Sequence, residues 1–281
     1  MKSEELQKKN LDYCLMIILN EINRVCANNN IKYFLVGGSL LGAIRHNNII
    51  PWDDDMDIGL LRSDYDKFVK ICDKELNEEF YITTADNEKN YGQPYCKVRL
   101  KNTIFEESLH PKKNDIRKGI FVDVFPVDSL PINKSQQITQ KIAISIWKNA
   151  LLLKCRYVFD NNQLPLRVRA LSFLPSLLSK KNIIKKLNLE MTRYNSDKVD
   201  YYTINCETPY GREIFPVWCL SGEALPRVKF GNLYIPIPNH PELYLTKVYG
   251  DFMQLPPKQE RVFRHASNSI DFGPYEFQDG E

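Results

Sequence analysis

Four aspartates, Asp53, Asp54, Asp55 and Asp57, fall within five positions of the segment YFLVGGSLLGAIRHNNIIPWDDDMDIG, residues 33–59. Like charges held that close repel, so a positive charge is expected between them. Asp55 and Asp57 are one residue apart. On a strand that spacing sends both carboxylates to one face, where they can share a hard cation such as Mg²⁺. A further carboxylate, Asp123, stands alone in the apolar run GIFVDVFP, residues 119–126. If the two strands are neighbours, the three aspartates form the set used for in-line displacement at phosphorus, two bridging a divalent ion and the third acting as ligand or base. Gly37-Gly38-Ser39 closes one apolar run and opens a helical one, which offers backbone N–H groups and a hydroxyl to phosphate oxygens. The expectation is a Mg²⁺-nucleotide site.

The elements that must position these residues are legible in outline. Apolar positions at Leu11, Leu15, Ile18, Leu19, Ile22 and Val25 predict an amphipathic helix over residues 4–28. Residues 31–36 read as a strand, Ser39 as the N-cap of a helix running to His46, and residues 56–60 as a second strand. Asp64 is placed to cap a helix over residues 65–76. Strands follow at 81–83, at 95–100 (Lys97 and Arg99 on one face) and at 104–105, then the Asp123 strand. From residue 133 to 198 the pattern is helical and strongly basic, its lysines and arginines facing only Asp160, Glu190 and Asp197. Beyond residue 200 short strands return: 228–230 and 233–235 flank Gly231-Asn232, a two-residue hairpin signal. Pro241 opens a helix that Gly250 closes. The expected organisation is a catalytic core over 1–130, a basic helical lobe over 131–200, and C-terminal strands and a helix over 201–281 packing back on the core.

Composition narrows the classes. With 43% hydrophobic and 26% charged residues, a chain of 281 residues can build a sizeable core. A net charge of +3 gives no argument for nucleic acid, which is left out of the expected partners. The apolar run at 15–19 is too short for a signal sequence or a membrane span. Seven scattered cysteines, none in a C-x-x-C spacing, read as reduced, buried thiols of a cytoplasmic protein.

The string GGSLLGAIRHNNIIPWDDDMDIG, the segment FVDVFPVD (residues 121–128) and the ending YLTKVYGDFMQLPP (residues 244–257) together resemble the LicD family. That family includes the fukutin-related proteins and is related to nucleotidyltransferases of the DNA polymerase beta type. The resemblance implies an α/β (α+β) fold: a nucleotidyltransferase-like mixed sheet with a helical insertion and a C-terminal cap. It implies transfer of a phosphorylated alcohol from a CDP-linked donor to a hydroxyl of a cell-surface glycan precursor (teichoic acid, lipopolysaccharide or capsule), with release of CMP. CDP-choline is the favoured donor, phosphoribitol and phosphoglycerol are alternative cargoes, and the glycan acceptor can be lipid-linked. Carried over by position, Asp55, Asp57 and Asp123 would be catalytic and, with Asp53, would hold Mg²⁺ or Mn²⁺. Gly38 and Ser39 would hold donor phosphate. Asp123 would accept the proton of the acceptor hydroxyl.

Other residues carry two readings each. Lys97 and Arg99 would neutralise the donor diphosphate or form a solvated strand face. Arg45 and His46 would reach the donor or cap the end of their helix. Trp52 reads as packing rather than as a stacking platform. Arg261, Arg264 and His265 would serve the site or form a basic tail. The basic middle, above all residues 164–178, is an ordinary helical lobe or a face that meets anionic lipid at the inner side of the cell membrane. True nucleotidyl transfer and a non-catalytic glycan- or nucleotide-binding module are the rival functions.

Overall fold

The computed structural model describes residues 2–112, 116–159, 162–163, 165–206, 211, 213–263 and 266–277. Helix α1 (Lys2–Asn28) buries the apolar stripe read from its sequence. Strand β1 (Phe34–Leu35) is shorter than expected because Val36 already serves as the N-cap of α2 (Gly37–His46). Ser39 therefore lies inside the first turn and does not cap it. Asn47 ends α2 in the left-handed conformation, φ 51°, which asparagine tolerates.

Strand β2 (Asp57–Leu61) leads directly into α3 (Arg62–Glu75), which begins ahead of the expected Asp64 cap. Strands β3 (Phe80–Thr83), β4 (Cys96–Leu100), β5 (Ile104–Glu107), β6 (Leu109–Pro111) and β7 (Phe121–Leu130) follow. The basic middle holds α4 (Lys134–Lys154), β8 (Tyr157–Phe159), β9 (Asn162–Gln163), α5 (Leu166–Ser176) and α6 (Lys180–Met191). It is not helical throughout, since β8 pairs with β6 and β9 with β8 in a small sheet. The remainder contains β10 (Tyr201–Thr203), β11 (Ile214–Pro216), the hairpin β12 (Arg227–Phe230) and β13 (Leu233–Pro236), α7 (Pro241–Tyr249) and β14 (Ala266–Asp271).

Strand β7 organises the core. All ten of its residues are buried, as its β-branched and aromatic sequence favours. Along one side β2 runs parallel to it, with β1 antiparallel outside β2. On the other side β4 pairs antiparallel with residues 121–124, and β10 pairs with residues 128–130. Strands β3 and β11 complete a seven-stranded mixed sheet. The C-terminal segment thus supplies strands to the central sheet as well as packing on it. Helices α4 and α6 bury Ile144, Leu151, Ile183 and Leu187 in the same hydrophobic core as α1 and the sheet. The seven cysteines are free and buried.

Candidate active site

Sheet register assembles the site. Asp57 of β2 pairs with Asp123 of β7, Asp123 with Lys97 of β4, and Lys97 with Thr83 of β3. Directly paired residues share a face, so three charged side chains form one row across the sheet. The Lys97 ammonium lies 2.8 Å from Asp123 Oδ1 and 2.8 Å from Glu107 Oε1. Arg99, two residues on, donates to Glu107 Oε2 at 3.2 Å and to the Gly119 carbonyl at 2.7 Å. The Phe121 ring lies against both cations, with Lys97 Nζ 3.4 Å and Arg99 Cζ 4.9 Å from its centroid.

Lys97 and Arg99 are therefore buried and paired, not a solvated strand face. Burial raises the Asp123 carboxyl more than Lys97 lowers it, and Glu107 adds to the rise, so it is pushed up to about 6. Burial also acts to raise Glu107, but Lys97 and Arg99 together outweigh it and hold that carboxyl below its usual range.

Above the row lies a cavity of about 730 Å³ whose lining includes Gly37, Gly38, Asp53, Asp55, Asp57 and Asp123. Asp54 is buried and is not part of that lining, although ligand oxygens of Asp53, Asp54 and Asp55 all lie within 4.8 Å of one another. The two glycines explain how the carboxylates come so close to the start of α2. A Cβ on Gly38 would stand 2.5 Å from Asp53 Oδ2, and one on Gly37 would stand 3.0 Å from Asp57 Oδ2. Both acids thus lie at a helix N-terminus, whose partial positive charge favours them.

Ser39 is not part of the lining: its hydroxyl accepts the Asp57 N–H at 2.9 Å, fixing the entry to β2. The structure thus joins α2 to the acidic strand through Ser39 and leaves Gly37 and Gly38 facing the cavity. The carboxylate oxygens suit a hard divalent cation. Asp123 Oδ1 is buried against the Lys97 ammonium, while the residue itself lines the cavity.

Arg45 lines the cavity, where it donates to the carbonyls of Phe252 (2.9 Å) and Gln254 (3.3 Å) and pins the segment after α7. His46 accepts from Arg45 Nε at 2.9 Å. Burial, with the neighbouring Arg261 charge, lowers the Arg45 guanidinium. Trp52 packs edge-on to His46 and lies 5.1 Å from the Arg261 guanidinium carbon, so it packs as expected while forming part of the wall. Arg264 and His265 lie outside the described residues.

Several residues of the site carried no sequence signal of their own. Glu107, Tyr95, Lys148, Glu213 and Tyr249 line the cavity. Tyr244 links two walls by accepting the Gly37 N–H at 3.0 Å and donating to Glu213 Oε1 at 2.9 Å. Tyr244 and Tyr249 could have been found in the YLTKVYGD ending; Glu107 and Glu213 stand in segments without a motif. Asp128, the second acid of FVDVFPVD, is structural. It accepts from Arg62 Nε and Nη2 at 2.8 and 2.6 Å and from Asn195 Nδ2 at 2.7 Å.

A mixed sheet that pairs two aspartate-bearing strands beside a glycine-led helix agrees with what the family comparison finds. Residues 30–172, about half of the chain, match the family described as LicD/FKTN/FKRP, nucleotidyltransferase domain, and the chain belongs to that family. Its relatives include the lipopolysaccharide cholinephosphotransferase LicD of Haemophilus influenzae, 25% identical over 280 residues, which span 96% of this chain and 99% of that protein. The human and mouse ribitol 5-phosphate transferase FKRP is 59% identical over 34 residues, 12% of this chain and 7% of that protein.

Proposed function

We propose that this chain is a divalent-cation-dependent phosphotransferase. It moves a phosphorylated alcohol, phosphocholine foremost, from a CDP-linked donor to a hydroxyl of a cell-surface glycan precursor. The observation that carries the reading is the pairing of Asp57 with Asp123 beneath a cavity that Asp53 and Asp55 also line. At about 730 Å³ that cavity is of ligand-binding size. The full-length similarity to a cholinephosphotransferase supports the same class of reaction.

In this reading Asp53, Asp55, Asp57 and Asp123 hold Mg²⁺ or Mn²⁺. The bound cation would offset the charge that develops on the phosphoryl oxygens. The acceptor oxygen forms a bond to the donor's distal phosphorus, the bond from that phosphorus to the CMP oxygen breaks, and CMP leaves with the electron pair. Asp123 takes the hydroxyl proton; burial raises its carboxyl and makes it more basic than an ordinary aspartate. Gly38 presents its backbone to the donor phosphates, and Lys97 and Arg45 act through the groups they hold, Asp123 and the segment after α7.

Choline is favoured by the aromatic and acidic residues of the lining. Tyr95, Phe125, Tyr249 and Phe252 line the cavity together with Glu213 and Glu260, an aromatic and acidic surface suited to a quaternary ammonium. Phosphoribitol is the second cargo, on the similarity to FKRP. A thermal-shift comparison of CDP-choline, CDP-ribitol and CDP-glycerol with Mg²⁺ tests the donor, since a ligand at a hundred times its Kd stabilises by ~2.7 kcal/mol. CDP-choline is expected to give the largest shift; no shift with any of the three would contradict the assignment.

A further inference from the structure

Helix α5 packs the wrong way round for a soluble protein. A surface helix normally buries its leucines and shows its polar residues to water. Here the one buried residue is Ser172, whose hydroxyl has no hydrogen-bond partner, while Leu166, Leu171, Phe173, Leu174 and Leu177 are between 58% and 78% exposed. Leu166, Phe173, Leu174 and Leu177 follow helical spacing and Leu171 lies about 60° beyond Leu174 on the same exposed side, so the apolar side chains form a broad outer face. Leu178 extends it into the loop before α6. Single exposed leucines are ordinary, but a contiguous apolar stripe marks an interaction surface.

Charge says what the stripe meets. Arg167, among the leucines on the exposed face, and Lys181, just beyond Leu178, are both exposed, and α4, α5 and α6, which pack on one another, carry many lysines and arginines among few acids. A second copy applied to this face would set basic against basic. An anionic lipid surface would complement the charge and take up the leucines. With 11 residues α5 is far too short to span a bilayer, and no helix among the described residues is long and apolar enough to cross one.

We propose that α5 and the loop after it form an interfacial membrane-docking face, which inserts its leucine stripe among the acyl chains of an anionic leaflet and sets its basic residues at the headgroups. Helix α4, against which α5 packs, contributes Lys148 to the catalytic cavity, so docking would hold the active site beside the lipid surface. The inference stands apart from the catalytic reading, because binding is measured with neither donor nor acceptor.

The test is flotation of the full chain with vesicles of phosphatidylcholine alone and of phosphatidylcholine with phosphatidylglycerol. The wild type is expected to float with the anionic vesicles at least tenfold more than with the neutral ones. The Leu171→Glu/Leu174→Glu variant should lose at least tenfold of that binding with an unchanged melting temperature, because both side chains are already in water. Should that variant unfold, Arg167→Gln/Lys181→Gln, which leaves the stripe intact, should weaken binding by about fivefold per charge removed. Equal flotation with both vesicle types, unchanged binding by the folded variants, or a wild-type dimer that the leucine substitutions convert to monomer would overturn the proposal.

Discussion

Replacing Lys97 with methionine probes the electrostatic heart of the site. The substitution removes the cation between Asp123 and Glu107 but keeps most of the side-chain volume beside Phe121. Asp123 already stands near 6, with Lys97 the strongest influence holding it down. Loss of an adjacent opposite charge raises a carboxyl by ~1–3 units, which takes Asp123 to neutral pH or above. Glu107 keeps Arg99 as a partner. At pH 7 the variant would hold Asp123 largely protonated, unable to accept a proton and a poor ligand for a cation.

The effect on stability follows with a definite sign. Below about pH 6 both proteins hold Asp123 protonated, so this group separates them little. Above it the wild type ionises Asp123 against Lys97 while the variant does not, and the variant's deficit grows by ~1.4 kcal/mol per pH unit until its own Asp123 ionises. Urea unfolding in EDTA and the pH dependence of transfer, each measured from about pH 5 to pH 9, read the two consequences. The acidic limb of the activity profile should move up by at least one unit, and the stability gap should widen with pH. Coincident limbs with a constant gap would refute the coupling of Lys97 to Asp123.

Gly38→Ala should separate stability from activity: alanine suits a helix better than glycine, yet its Cβ would collide with Asp53 Oδ2, so transfer and Mg²⁺ affinity should fall at least tenfold while the melting temperature changes little. Arg62→Ala strips Asp128 of its bidentate partner in a buried setting and should cost ~3–5 kcal/mol in urea unfolding. Tyr244→Phe breaks the link between Gly37 N–H and Glu213 and should cost ~1–3 kcal/mol, with a rise in donor KM. Because the raised Asp123 holds its proton below about pH 6, the melting-temperature gain from Mg²⁺ should be small at pH 5 and grow towards pH 7.5; a gain independent of pH would show that Asp123 is not a ligand.

The sequence spoke most clearly where chemistry is local. The lone acid in an apolar strand, the Gly231-Asn232 turn and the Pro241–Gly250 helix limits are each set by neighbours in the chain. Asp55 was expected on the same strand as Asp57, but β2 begins only at Asp57, so Asp55 reaches the cavity from the segment before it. What was hidden depends on register. Nothing near Lys97 in the chain says that Asp123 lies opposite it, because that pairing arises only when β4 and β7 align, or that Glu107 at the end of β5 completes the ion pairs with Lys97 and Arg99. Ser39 misled for a similar reason. A serine after two glycines looks like a cap or a phosphate ligand, and only the approach of β2 shows its hydroxyl accepting the Asp57 N–H. The helices of the basic middle were legible, but not β8 and β9 within it or the inverted face of α5, since hydropathy alone does not reveal which side of a helix meets its neighbour.

The most direct measurement is the fate of phosphorus in a single reaction. The protein would be incubated with CDP-choline, Mg²⁺ and a glycan acceptor and followed by ³¹P NMR, alongside Asp57→Asn and Asp123→Asn. The account predicts CMP and a new phosphodiester on the glycan in equal amounts, abolished by EDTA and reduced at least a thousandfold in either variant. Full activity in EDTA, wild-type rates in both variants, or transfer of the cytidylyl group in place of phosphocholine would contradict it.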